Sequence, residues 1–290
     1  MLIQRIITAS ILAALIALAV FKLPTHYFSL LIGLITLLAA WEWSNLAGMT
    51  SLVKRILFLL ILILPMVGIN FWTQFLELLA QATDWPDVRD YSGALEWLVI
   101  PPVLFWIVVM ILIRNIPLSL LNLKLRTRYK ALIGWFVLLA AWMFLCRLRV
   151  FYGTEMTMYF LILIWAADIS AYFAGKKWGV TKLAPDISPG KTVAGMYGAL
   201  IAGMVCAIAL SLIYGFQLMI AADFILLSML TVLISIYGDL FVSVVKRQCG
   251  LKDSGSLLPG HGGILDRTDS LIAAIPFFYA GIYLIYRAVS

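Results

Sequence analysis

Between residues 243 and 269 the chain gathers side chains that can hold a polyphosphate. The stretch runs Ser243-Val-Val-Lys246-Arg247, then Lys252-Asp253, then Pro259-Gly-His261-Gly262-Gly263-Ile-Leu-Asp266-Arg267-Thr-Asp269. Asp266 and Asp269 are three apart, so one helical turn places both on one side. Asp239, in the apolar run just before, brings a third carboxylate to the same depth. Such a cluster suits Mg²⁺, which takes a few carboxylates and fills its shell with water and phosphate oxygens. Lys246, Arg247, Lys252 and Arg267 offset the charge of a triphosphate. Gly262 and Gly263 let backbone N–H groups approach an anion. His261 is one of two histidines and suits phosphate contact or proton transfer better than metal ligation. Blander roles compete. An Asp at a helix start caps free N–H groups, which accounts for one of the two acids but not for both beside the lysines and glycines. One or two of the basic residues serve topology alone.

A second loop reads Leu183-Ala-Pro185-Asp186-Ile-Ser188-Pro189-Gly190-Lys191-Thr192. Its end mimics a P-loop, but Pro185 stands where a glycine is needed, so no Walker motif is present. Ser188, Lys191 and Thr192 still offer a charge and hydroxyls to phosphates. Asp168 and Asp239 lie inside apolar runs. An ionised carboxylate in hydrocarbon is costly, so such residues usually face a polar cavity and serve function. The alternative is a protonated or hydrogen-bonded packing residue. Glu42, between Trp41 and Trp43, is as readily an interfacial anchor as a participant in chemistry.

The elements that must carry these residues are membrane helices. Of 290 residues, 64% are hydrophobic and 12% charged, and the mean hydropathy is +1.04. A soluble domain is about half apolar and a quarter charged. The fold class expected is therefore all-α, a polytopic integral membrane protein. Runs of about 20 apolar residues predict nine spans, at 6–22, 27–47, 55–74, 97–114, 131–147, 156–175, 196–215, 221–244 and 270–287. The first is read as a retained helix rather than a signal peptide, because a very short loop leads straight into the next. Pro65, Pro101, Pro102 and Pro276 fall in these runs, where membrane helices tolerate them. Cys146, Cys206 and Cys249 form no CxxC pair and predict neither a disulfide framework nor a metal site.

With the N-terminus in the cytoplasm, most of the 21 basic residues fall inside, including those of 114–130, 176–191 and 246–267. The acidic 75–96 loop falls outside. Arg147 and Arg149 dissent. Both glycine-bearing basic loops then share the cytoplasmic side, where nucleotides are.

The run from Ser243 to Asp269 resembles the signature of the phosphatidate cytidylyltransferase family: a Ser, Lys-Arg, Lys-Asp, Pro-x-His-Gly-Gly, then Asp-Arg-x-Asp. The likeness extends to Asp168, Ala171-Tyr172, Gly175, Lys182 to Pro185, Ser188-Pro189, Lys191-Thr192 and Gly238-Asp239-Leu240, and loosely to Glu42-Trp43. It departs at Val193-Ala194, where many members read Trp-Glu or Trp-Gln, and at Val242, where many carry Glu. The resemblance implies the reaction CTP + phosphatidic acid → CDP-diacylglycerol + pyrophosphate, in phospholipid biosynthesis. It implies Mg²⁺ at Asp239, Asp266 and Asp269, with K⁺ as a second ion. It implies catalytic roles for Lys246, Arg247, Lys252, Asp253, His261 and Arg267. Substrate contacts are implied for Asp168, Ser188, Lys191, Thr192, Ser243, Gly262 and Gly263. It further implies a homodimer in a bacterial-type inner membrane, with no nucleic-acid partner. Helices of 1–150 would support a catalytic region at 151–290. The rivals are a CTP-dependent lipid kinase, told apart by its products, and a secondary transporter, which predicts internal repeats that the chain lacks.

Overall fold

In lipid every backbone polar group must be satisfied internally, so apolar runs of this length propagate as helices. The computed structural model describes residues 2–255, 257 and 262–289, and it is helical almost throughout. The elements are α1 (Leu2–Lys22), α2 (Thr25–Leu46), α3 (Leu52–Asn70), α4 (Trp72–Thr83), a 3-10 segment Pro86–Val99, α5 (Ile100–Asn115) and α6 (Pro117–Asn122). Then come α7 (Thr127–Trp178), β1 (Lys182–Ala184), β2 (Ser188–Thr192), α8 (Val193–Tyr214), α9 (Leu218–Gln248) and α10 (Leu265–Val289). The antiparallel β1–β2 hairpin, with Lys182 opposite Thr192, is the one sheet among the described residues of an otherwise all-α chain. The 75–96 stretch, expected as a loop, is largely ordered into α4 and the 3-10 segment. There Arg89 grips Glu77 at 2.6 Å, and that guanidinium holds the Glu77 carboxyl down at about 2.

Among the described residues seven helices are long and apolar enough to cross a membrane. The expected runs 131–147 and 156–175 both fall within α7, whose 52 residues would extend about 78 Å if straight. That is more than twice the roughly 30 Å hydrocarbon core. Gly153, at φ 83° and ψ −177°, breaks the helix into two limbs. Phe144 before the break and Phe160 after it meet neighbouring rings of α10, Tyr279 and Phe278, at centroid distances of 5.1 and 5.3 Å. Tyr152, at the break, reaches further along α10 to Tyr286. A straight helix cannot make those three contacts, so α7 doubles back along α10.

Helices in lipid associate through close packing rather than a hydrophobic drive, which favours small residues at contacts. A Cβ at Gly198 of α8 would come within 2.5 Å of the Ala174 Cβ on α7, and one at Gly238 of α9 within 2.3 Å of the Ala273 Cβ on α10. The α2–α7 contact is closer still. The Trp43 ring lies flat against Gly134, where a Cβ would sit 1.9 Å from Nε1, and Nε1 donates to the Lys130 carbonyl at 2.8 Å.

The end of the bundle away from the basic loops holds the two dissenting arginines. Arg147 is ion-paired to Glu96, whose other oxygen accepts from the Tyr279 hydroxyl at 2.5 Å. Arg149 donates to the Val20 carbonyl at 3.1 Å. Arg147 is therefore neutralised in place, which removes its weight as an orientation signal. The cysteines are free and packed, and Cys249 Sγ contacts the Leu46 carbonyl at 2.9 Å.

Gly134→Val drives two methyls and the Cβ into the Trp43 ring. Overpacking of this kind costs about 1–3 kcal/mol, so the purified variant should melt several degrees below wild type in the same detergent. An unchanged melting temperature would refute the close contact of Trp43 with Gly134.

Candidate active site

The site begins where α9 and α10 touch. Because Gly238 has no side chain, the α10 backbone closes to within 2.9 Å of where a Cβ would stand, the nearest backbone atom being the Asp269 carbonyl oxygen. The next residue, Asp239, then lies beside the Asp269 carboxyl, close enough for the two to interact directly. Asp269 is only 7% exposed, and its Oδ1 accepts from the Ser270 N–H at 2.9 Å. Ser243, one turn after Asp239, reaches it at 3.4 Å.

The β-hairpin supplies the opposing charge. Its second strand carries Lys191, whose Nζ lies 2.7 Å from Asp239 Oδ2 and also donates to the Ile236 carbonyl at 3.1 Å. Asp168, from the second limb of α7, sits in the field of Lys191, Asp239 and Arg267. It is exposed within a span, among these charged groups.

A second pair lies alongside. Lys246 Nζ is 2.7 Å from Asp266 Oδ1, and both side chains are about nine-tenths covered. Asp266 Oδ2 accepts from the backbone N–H groups of Ser254 and Gly263 at 2.8 and 3.0 Å. Gly262 adopts φ +83°, a conformation that favours glycine, where the chain turns into α10.

The structure thus brings Asp168, Lys191, Asp239, Ser243, Asp269 and Arg267 into one group, with Lys246, Asp266, Gly262 and Gly263 beside it. Other expected residues have structural partners. The Thr192 hydroxyl caps α8 by accepting from the Gly195 N–H at 3.1 Å. Arg247 reaches the Ile187 and Leu251 carbonyls at 3.4 and 3.3 Å, tying the end of α9 to the hairpin. Ser188 is half-buried in β2, and Lys252 and Asp253 are exposed beyond α9. His261 lies outside the described residues. Val242 is 1% exposed and belongs to the hydrophobic core.

Among the described residues no three His, Cys, Asp or Glu side chains converge to hold a metal ion. Asp266 is turned toward Lys246 and the loop. The adjacent Asp239 and Asp269 nevertheless fit Mg²⁺ as a donor set. They offer hard oxygens side by side, and like charges held that close favour a cation between them. Mg²⁺ needs only one or two carboxylates when phosphates and water complete its shell.

Sequence reasoning undervalued Glu42. It is 3% exposed, and its two oxygens accept from Ser254 Oγ at 2.8 Å, Ile264 N at 3.0 Å and Leu265 N at 2.9 Å. A Cβ at Gly255 or Gly263 would collide with it, at 2.6 and 2.2 Å. Glu42 therefore caps α10 across more than two hundred residues and seats the loop that aims Asp266. The signal available was its charge within a span, where an ionisable residue ordinarily has a definite partner.

A family model described as the cytidylyltransferase family matches residues 3–285. The chain is 35% identical to the phosphatidate cytidylyltransferase of Haemophilus influenzae, across 96% of this chain and 97% of that one. It is 38% identical to the phosphatidate cytidylyltransferase of Pseudomonas aeruginosa, across 97% and 96%. Identity to the enzyme of that name from Bacillus subtilis is 44%, over 44% and 47% of the two chains.

Glu42→Ala leaves the Ile264 and Leu265 N–H groups and the Ser254 hydroxyl without their acceptor, at about 1–3 kcal/mol for each group left unsatisfied. In hydrogen exchange the Ile264 and Leu265 amides should lose protection by at least about tenfold, while amides in mid-α9 keep theirs. Equal protection in variant and wild type would show that Glu42 does not seat the loop.

Proposed function

The chain belongs to the cytidylyltransferase family, and from that premise we propose how its site transfers the cytidylyl group of CTP to phosphatidic acid. The reaction forms a bond between a phosphatidate oxygen and the α-phosphorus of CTP. The bond from that phosphorus to the β-phosphate oxygen breaks, pyrophosphate leaves, and CDP-diacylglycerol remains in the membrane. The observation that carries this reading is the pairing of Lys191 with Asp239 and of Lys246 with Asp266 at one end of the helices, in a chain of this family.

The phosphate monoester of phosphatidic acid has a second pKa near 6 by analogy with phosphorylated side chains, so at neutral pH it is mostly a dianion and needs little help from a base. The obstacle is bringing it to a second polyanion. Lys191, Lys246 and Arg267 stand around the acids and can share their charge with arriving phosphates, which lowers the repulsion and sets the line of attack. Asp239 keeps Lys191 oriented until a phosphate replaces it, with Asp168 adding to the field at that lysine, and Asp266 does the same for Lys246. Asp239 and Asp269 would hold Mg²⁺, which supplies charge neutralisation at the phosphates and at departing pyrophosphate. The diacyl tails stay in the bilayer while the headgroup meets the nucleotide at the helix ends.

The site is proposed to face the cytoplasm of a bacterial-type inner membrane. Basic residues concentrate at its end of the bundle, and Arg147, the main exception, is neutralised by Glu96. A homodimer and a K⁺ ion beside Mg²⁺ are proposed on the family resemblance alone.

Purified protein given labelled CTP, phosphatidic acid and Mg²⁺ should yield CDP-diacylglycerol and pyrophosphate in equal amounts, and chelation of the metal should stop the reaction. Recovery of CDP with a newly phosphorylated lipid would overturn the assignment in favour of a kinase. Asp269→Asn should abolish product formation while the protein still inserts and purifies as wild type. Wild-type turnover in that variant would remove Asp269 from the metal site.

A further inference from the structure

The link from α5 to α7 joins the end of one span to the start of another, so it lies at a membrane surface. From the last turn of α5 through the link into the first turn of α7 stand Arg114, Lys124, Arg126, Arg128 and Lys130, and no acidic residue stands between Glu96 and Glu155. Among the described residues none of the five is paired with a carboxylate. Arg128 donates to the Tyr129 hydroxyl at 3.1 Å, and Lys130 contacts Cys249 Sγ at 3.6 Å. Apolar side chains are interleaved with the charges and stand out from the protein: Ile116 is 44% exposed, Leu118 57%, Leu123 47% and Tyr129 46%.

This strap is fastened to the site end of the bundle. Gln248, two residues after Lys246, donates to the Leu120 carbonyl at 2.7 Å, and Trp43 donates to the Lys130 carbonyl at 2.8 Å. Orientation by basic residues requires charge in the loop but neither the exposed leucines nor the docking onto α9. A soluble polyanion would be met by the charges alone. Basic and apolar side chains together match the boundary between acyl chains and anionic headgroups.

We propose that residues 116–130 form a docking surface for the anionic phospholipid headgroups of the bilayer in which the chain sits, at the same end as the nucleotide-binding site. Acidic lipid is thereby enriched beside the cleft that consumes it. The surface itself does not depend on the reaction assigned above, because lipid retention can be read without turnover.

The full chain is reconstituted in nanodiscs of phosphatidylcholine containing phosphatidylglycerol, and retained lipids are measured by native mass spectrometry and by spin-labelled phosphatidylglycerol. Wild type should retain phosphatidylglycerol over phosphatidylcholine. The variant Lys124→Gln/Arg126→Gln/Arg128→Gln should weaken that preference by about tenfold, and about 1 M salt should erase most of it in wild type. A second variant, Leu118→Ser/Leu123→Ser, keeps every charge and should also weaken retention. Unchanged preference in either variant, with wild-type melting behaviour, overturns the docking surface. Displacement of the spin-labelled lipid by CTP as readily as by unlabelled phosphatidylglycerol also overturns it, in favour of a nucleotide surface.

Discussion

The buried carboxylate of Glu42 is the contact on which the polar end of the molecule depends. It belongs to α2, yet its oxygens are spent on Ser254 and on the first N–H groups of α10. A helix start leaves N–H groups unsatisfied, and a carboxylate there meets both the hydrogen-bond need and the dipole. Because the acceptor comes from a distant helix, the start of α10 is pinned in three dimensions rather than along the chain alone. Asp266 and Asp269 lie one and four residues after Leu265, so their positions follow from that pin. Trp43, next to Glu42, is clamped against Gly134 and fixes α2 to the first limb of α7. The N-terminal helices thus act as the frame of a site built mainly from C-terminal residues.

Within that frame each acid except Asp168 has been given a specific neighbour. Asp266 has Lys246 and two backbone donors, Asp239 has Lys191, and Asp269 has Asp239 and a backbone donor. Carboxylates in a poorly solvated place are tolerable when paired and hydrogen-bonded. The same lysines are what a triphosphate requires. In the proposed reaction the lysines rest on acids until phosphates arrive, and the exchange of one anionic partner for another leaves the number of buried charges nearly balanced.

Much of this was legible in the sequence, for a physical reason. Membrane helices declare themselves by long apolar runs, and charge inside or between such runs is costly enough to be purposeful. That logic located Asp239, Asp269, Lys191 and Lys246, and the structure gathers all four. It found the two limbs of α7 as the runs 131–147 and 156–175, but not that they join directly at Gly153, because a glycine in an apolar run reads alike in a straight helix and at a reversal. It could not see that Thr192 and Arg247 are occupied in holding α8 and the hairpin, since a capping hydroxyl and a phosphate-binding hydroxyl have the same residue type. It undervalued Glu42 because the partners of that residue lie more than two hundred positions away.

The placement of small residues explains why the acids can meet at all. In hydrocarbon the backbones of α9 and α10 gain little from hydrophobic burial against each other, and close approach depends on the absence of side chains at the crossing. Gly238 sits immediately before Asp239, and the atoms it lets in are the Ala273 Cβ and the carbonyl oxygen of Asp269. The residue that permits the helix contact is therefore next to the residue that uses it. Any side chain at 238 would push apart the two carboxyls as well as the two helices, so packing and chemistry at this crossing are a single constraint. A site assembled at the ends of tightly crossed helices also leaves the lipid-facing flanks apolar. The charged groups stay at one surface, where a soluble nucleotide and a membrane-bound headgroup can both arrive.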